Sequence, residues 1–386
     1  MVSPVALQMA NRTISDTDLD KILLPNSRAT LPNDYLQAEI LEAFWPSCSQ
    51  GFTSSKRQLQ PSYFAFFQSE CETWRLSGSP VALHTYRDLL ALVKHLRTKR
   101  TERRDSRAIL EFFDGISMSP TSADSLPVQG LQCDKASMMN ALDLAVSLWL
   151  MLGIGSDKTR LYPGRSSLVW AESESLDGFI QKCFAVEAPE NRIKIERAFS
   201  SVPSSLNAHN LKFIGGFDIM WTDCLADHLI LNDDLGTISL YHHASVLLTA
   251  GQSSLNETVL PKDLLEETSR SLALLLPRAN TECKKWYQKT LKRYPNLDPT
   301  AGDLMMTPRG RAFDRYKYWS ERLEIIVEAY DKSEPKALPQ WWNDRRNKVQ
   351  WYTFWTAALI LLLTVVFGFI QSVTGILQVY FASRGR

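Results

Sequence analysis

Apolar positions recur every three or four residues over most of the chain, the spacing of one helix face. From Asp34 the segment DYLQAEILEAFW sets Tyr35, Ile40, Leu41 and Phe44 at that spacing until Pro46 ends it. FAFFQSECETW adds an aromatic cluster at Phe64, Phe66, Phe67 and Trp74. A further helix is expected from near Pro80, with Leu83, Tyr86, Leu89, Leu90, Val93 and Leu96 on one face. Lys135 to Leu152 is nearly all apolar, interrupted by Asp143, and reads as a central core helix. Between about 161 and 250 the pattern changes to short strands. Leu211 to Trp221 and Leu229 to Tyr241 alternate or run apolar, the second hinged on a hairpin-type turn at Asn232–Gly236, and Thr222 is placed to cap a short helix through His228. Helices return at Pro261: Leu264 to Leu276, Thr281 to Lys292 with Trp286 and Leu291, and Arg311 to Asp331 with Phe313, Tyr316, Trp319, Leu323, Ile326, Val327 and Tyr330 on one side. Residues 1–34, rich in Ser, Thr, Asn and Asp, read as a loose arm. The expected class is mainly α: a body over 35–340 with a small α+β insert at about 161–250, and a single transmembrane helix at 351–382.

That last segment organises the rest. Between Lys348 and Arg384 lie 35 residues without a charged side chain, and Thr356 to Ile370 is almost wholly apolar. About 20 such residues cross the roughly 30 Å hydrocarbon layer, and within lipid a lone segment must be helical to satisfy its backbone. The alternative, a buried core helix, normally runs about 8–20 residues. Interfacial markers flank the span. Trp341, Trp342, Arg345, Arg346 and Lys348 form a basic and aromatic juxtamembrane block at 341–350; Trp351, Tyr352 and Trp355 open the span and Tyr380 closes it. Five Lys or Arg in the 20 residues before Val349 against two after Ser383 place the larger part in the cytosol, and the first residues lack the basic and apolar regions of a secretory signal. A tail-anchored, single-pass protein with a cytosolic N-terminal body is expected. The opposite orientation would expose the sequons at Asn11 and Asn256 to glycosylation. Within the span, Thr364, Gly368, Gln371, Ser372, Gly375 and Gln378 fall three or four apart, so self-association through Gly368, Gln371, Gly375 and Gln378 is expected beside the bilayer contact.

Composition narrows the chemistry. Lys and Arg number 43 against 42 Asp and Glu, so no overall field attracts nucleic acid. The one conspicuous basic run, Lys94, Arg97, Lys99, Arg100, Arg103, Arg104 and Arg107, has no aromatic between Tyr86 and Phe112 on which a base would stack. It reads as a solvated helix end, with contact to anionic headgroups as the sharper alternative. The six cysteines lie at least 22 residues apart, which excludes CxxC-type zinc spacing and suits free thiols in a reducing compartment.

Two catalytic templates fail on spacing. GIGSDKT has Asp157 where a phosphate loop needs Gly before Lys, and GRSSL lacks the second Gly of a nucleophile elbow. The remaining chemistry-bearing set is Asp223, Asp227, His228, Asp233, Asp234, His242 and His243. Imidazoles and carboxylates do acid–base work or hold metals. Adjacent His242 and His243 on a strand would point to opposite faces, however, and Asp233 and Asp234 belong to a turn. No metal and no cofactor is assigned.

Trp221–Leu229 (WTDCLADHL), Tyr241–Ser245 (YHHAS) and Gln340–Arg346 (QWWNDRR), followed by Val349–Trp355 (VQWYTFW), together resemble a large set of uncharacterised, single-span proteins of filamentous ascomycete fungi. The resemblance covers roughly Leu131 onward and implies a membrane location, with no activity, cofactor or site. The expected function is a non-enzymatic, membrane-anchored interaction or sensing protein. A membrane-bound, hydrolase-like enzyme using Asp223, His228 and His242 is the alternative.

Overall fold

The computed structural model describes residues 18–25, 31–46, 61–117, 134–155, 168–186, 201–253, 258–333 and 348–385, with the side chains of 116, 117 and 348–351 left out. In its first half, α1 (Asp34–Phe44), α2 (Pro61–Ser77), α3 (Tyr86–Thr98) and α4 (Arg107–Ser117) gather about α5 (Lys135–Leu150). Every residue of α5 from Ala141 to Leu150 is buried, as its uninterrupted apolar run requires. Among the hydrogen bonds that tie it to its neighbours, Tyr63 Oη donates to Leu148 O at 3.0 Å and Trp149 Nε1 to Phe44 O at 2.8 Å.

The helix expected from near Pro80 starts later, at Tyr86. Thr85 and Asp88 form a capping box there, each side chain accepting the other's backbone N–H, and this fixes the boundary. The extended residues ahead of it pair with part of the supposed arm. Ile22 bridges Thr85, and Leu23 donates its N–H to His84 O at 2.8 Å. Leu19 and Leu23 are buried, so 18–25 is packed structure rather than a loose tail; residues 1–17, with the sequon at Asn11, lie outside the described residues.

The basic run is neither a free stripe nor simply a solvated end. Arg97 Nη1 donates to Ala43 O at 2.9 Å, and Arg100 reaches Thr258 O at 2.9 Å and Asp177 at 3.4 Å. Arg104, only 5% exposed, donates to Asp143 Oδ1 at 2.6 Å, to Met139 O at 2.7 Å and to Trp170 O, with its guanidinium 4.8 Å from the Trp170 ring. Burial pushes the Asp143 carboxyl up to about 6 against the pull of Arg104. It is therefore ionised at neutral pH and balances the buried cation.

The insert contains a three-stranded sheet. LKFIGGFDIMW, expected as one strand, forms α7 (Ala208–Phe213), a turn, and β1 (Asp218–Thr222). The glycine pair makes the break: Gly216 takes φ +77°, and a Cβ on Gly215 would lie 2.8 Å from Leu211 O. β2 (Leu231–Asn232) and β3 (Thr237–Tyr241) form the expected hairpin, with Gly236 at φ +61° and Leu235 N–H on Asn232 Oδ1 at 3.1 Å. β1 pairs with β3 in parallel, giving the order β1-β3-β2. The expected cap at Thr222 is instead a local turn, its Oγ1 accepting the Cys224 N–H at 3.1 Å ahead of a 3-10 turn at Leu225–Asp227.

Five further helices belong to the body: α6 (Leu176–Cys183), which precedes the sheet, and α8 (Ala244–Gly251), α9 (Lys262–Leu275), α10 (Thr281–Arg293) and α11 (Ser320–Lys332), which follow it. The long helix expected over 311–331 is divided into a 3-10 turn at Phe313–Arg315 and α11. Glu267 on α9 explains the division: its carboxylate accepts the N–H groups of Lys317, Tyr318 and Trp319 at 2.7–2.9 Å, so these cannot join a helix. Phe313, Tyr316, Trp319, Leu323, Ile326, Val327 and Tyr330 are all buried, as their spacing predicts.

The last helix, α12 (Lys348–Arg384), stands apart from this core. Its 33 residues from Tyr352 to Arg384 are long and apolar enough to cross a membrane, and none of their most apolar stretch is buried. That exposure separates it from a core helix of the same composition. Trp341, Trp342, Arg345 and Arg346 lie outside the described residues, Lys348 and Trp351 are in α12, and Tyr352, Trp355 and Tyr380 flank its apolar centre. A Cβ on Gly368 or Gly375 would meet nothing within 4 Å among the described residues.

Candidate functional site

Parallel pairing of β1 with β3 builds the site. Thr222 lies opposite Tyr241, so the residues leaving the two strands, Asp223 and His242, emerge side by side. His243 Nε2 lies 2.9 Å from Asp223 Oδ1 and His242 Nε2 lies 3.3 Å from the same oxygen. The two rings are 3.9 Å apart between centroids. The expectation that adjacent histidines face opposite ways is overturned, because β3 ends at Tyr241 and His243, at φ −77° and ψ 67°, already turns into α8. Strand alternation stops one residue before it would separate them.

Hydrogen bonding fixes the protons. His242 Nδ1 accepts the backbone N–H of Asp298 at 3.3 Å, which makes Nε2 the protonated nitrogen and the donor to Asp223. Asp298 is itself fully buried and accepts from Ser245 N at 2.7 Å and Thr300 N at 2.9 Å, holding the starts of α8 and of a 3-10 turn. Burial would raise the Asp223 carboxyl, yet hydrogen bonds from His242 and His243 hold it well below the usual carboxylate range. Burial and the neighbouring His243 push His242 down to about 4 despite the carboxylate. The cluster is one carboxylate clamped between two histidine rings, open to solvent mainly through Asp223, whose side chain is 25% exposed.

Donor atoms of Asp223, His242 and His243 all lie within 4.8 Å of one another, close enough for a metal ion. The surroundings fit one poorly. Ligation through His242 Nε2 would move its proton to Nδ1, against the Asp298 N–H, whereas metal-bound imidazoles normally donate that second N–H to an acceptor. His243 Nδ1, fully buried, has no hydrogen-bond partner among the described residues to fill that role either.

His228 belongs to a neighbouring but separate network. Its Nδ1 accepts the Tyr241 N–H at 3.3 Å, its Nε2 donates to Ser271 Oγ at 2.7 Å, and Ser271 passes its own proton to Thr268 O at 2.7 Å. A serine nucleophile needs a histidine that accepts its proton; here the direction is reversed. Burial and the Arg322 cation push His228 down to about 3. It stays neutral when folded while the unfolded imidazole titrates near 6.5, so its stabilisation is complete above pH ~6.5 and fades as pH falls toward 3. Between pH 6.5 and 5 the wild-type chain is expected to lose about 1.5 kcal/mol more unfolding free energy than His228→Gln, by urea titration at each pH.

Asp233 and Asp234 are exposed in the hairpin turn, away from these networks, while Asp227 is buried in the 3-10 turn before His228. The residues that sequence reasoning passed over are Asp298, Glu267 and Ser271, together with the buried partnership of Arg104 and Asp143. Three of them left a trace: Glu267, Thr268 and Ser271 occupy the apolar stripe of α9, and Asp143 in an apolar helix calls for a cation. Two hollows open elsewhere: a cleft of about 440 Å3 between α8, α9 and Leu304–Met305, and one of about 190 Å3 along α10.

By fold this is a mainly helical body with a three-stranded insert and one helix fit to cross a membrane. No protein-family model, curated protein or solved structure matches the chain.

Proposed function

We propose that the chain is a non-enzymatic, single-pass membrane protein whose helical body works as an interaction or sensing module on the cytosolic face. The observation that carries this reading is the uncovered apolar helix of 33 residues from Tyr352 to Arg384. In water that surface would be an aggregation liability; in lipid it is at rest. The excess of Lys and Arg before the span supports a cytosolic body. The donor and acceptor pattern at His228 and His242 favours a structural role for the two motif segments over general-base chemistry, since each Nε2 already carries the proton it would have to accept.

The membrane reading is tested on membranes carrying the full-length protein. After alkaline carbonate extraction the chain is expected to stay in the pellet, and in sealed microsomes added protease should digest the body. Recovery in the carbonate supernatant would refute the anchor; protection of the body in sealed vesicles would refute the orientation.

A further inference from the structure

Helix α10 carries the least compensated charge on the described surface. Its 13 residues include Lys284, Lys285, Lys289, Lys292 and Arg293 against the single carboxylate of Glu282. The whole chain has a net charge of only +1, so this is a local concentration rather than a share of a general excess. At about 3.6 residues per turn the five cations fan over roughly half the helix circumference, opposite the side on which Cys283 and Tyr287 are buried. All five are exposed, and none forms an ion pair among the described residues. Asp303 lines the hollow beside Lys284 without reaching ion-pair distance. Lys292 and Arg293 suit the helix C-terminus, but Lys284, Lys285 and Lys289 have no such local reason to be there. Two exposed aromatic rings adjoin the basic face: Tyr294, 46% exposed with Arg293 at 5.5 Å from its ring, and Phe213, 40% exposed on α7, which packs against α10. The cations near the end of α3, which drew attention in the sequence, are largely committed to internal contacts at Arg97, Arg100 and Arg104.

We propose that α10 is a docking face for an anionic lipid surface, and that it lays the body against the leaflet in which the chain's own helix is anchored. Charge complementarity carries the choice of occupant, each Lys or Arg near an anionic surface raising partitioning about fivefold. Tethering adds to it. Fourteen residues separate Ser333 from Lys348, so the body stays within about 50 Å of the bilayer even when that link is fully extended. Amphipathic aromatics beside the cations suit the headgroup layer, where one side of a ring is wet and the other apolar. Nucleic acid would also meet the charge, but the chain's attachment makes a membrane the surface it encounters continuously.

The proposal rests on the membrane anchorage above, and the two fail separately. Full-length protein is reconstituted into phosphatidylcholine vesicles with and without 30% phosphatidylserine, and carbonate-resistant insertion is confirmed in both before any comparison. Lysine modification by an amine-reactive ester is then read by mass spectrometry. Lys284, Lys285, Lys289 and Lys292 are expected to react at least threefold more slowly in the anionic vesicles, relative to exposed Lys94, and to recover in 0.5 M salt. A variant with these four lysines changed to Glu, with a near-ultraviolet spectrum like that of the parent, should show no lipid dependence in body-to-membrane energy transfer. Equal modification in neutral and anionic vesicles would overturn the proposal, as would protection by added RNA in place of anionic lipid.

Discussion

Arg104→Ala is expected to destabilise the body by about 3–5 kcal/mol, the largest loss from any exchange within the basic run. Arg104 reaches Asp143, two backbone carbonyls and the face of Trp170 in a site almost closed to water. Removing it leaves a carboxyl inside α5 with no cation, which burial drives toward its neutral form, and the carbonyl oxygens of Met139 and Trp170 without that donor. The double change Arg104→Met with Asp143→Leu removes both charges and should recover most of the loss, since a buried pair replaced by apolar groups of similar volume is often close to neutral. Equilibrium unfolding in urea, followed by tryptophan fluorescence of the detergent-solubilised chain, measures both. A single variant within 1 kcal/mol of the parent would mean that Arg104 is not buried as described.

Glu267→Ala comes next. One carboxylate there holds three consecutive N–H groups, those of Lys317, Tyr318 and Trp319, and so sets the loop that delivers Trp319 to the core. The Trp319 N–H is buried and the other two are part-buried; a buried N–H left without an acceptor costs about 1–3 kcal/mol and each further bond lost about 1 kcal/mol, so a loss of about 3 kcal/mol is expected. Glu267→Gln keeps one oxygen, which can still accept from Tyr318 and Trp319, and should lose roughly half as much. Equal effects of the two variants in the same urea titration would show that side-chain packing, not N–H capture, is what Glu267 supplies. Burial raises this carboxyl despite its three donors, so the folded chain holds this proton more tightly than the unfolded one and the group's effect on stability weakens as pH rises through its titration.

The fold was legible where side chains alone decide it. The apolar run of α5, the stripe of α3 and the bare helix from Tyr352 follow from periodicity, because burial of one face is a property of the segment itself. Boundaries were legible less often. The capping box at Thr85 and Asp88 has the recognised spacing but follows closely on the stronger signal of Pro80, and Gly215–Gly216 interrupts an apolar run that continues on both sides. What the sequence could not supply is pairing across distance. Nothing local in YHHAS says that both imidazoles will share Asp223; that follows from a parallel register between strands not adjacent in the hairpin. Glu267 likewise acts on residues about 50 positions away, and Arg104 on a helix reached only after a long connection. The candidate residues were found by type, and their grouping by the fold.

The parallel alignment of 218–222 with 237–241 also orders events in time. A hairpin such as 231–241 can zip from its own turn, whereas two parallel strands meet only once the intervening chain has crossed over, a slower closure. Asp223 cannot find either imidazole until then. The ring protons of His242 and His243 therefore report on that crossover, since neither ring meets Asp223 until the two parallel strands are paired.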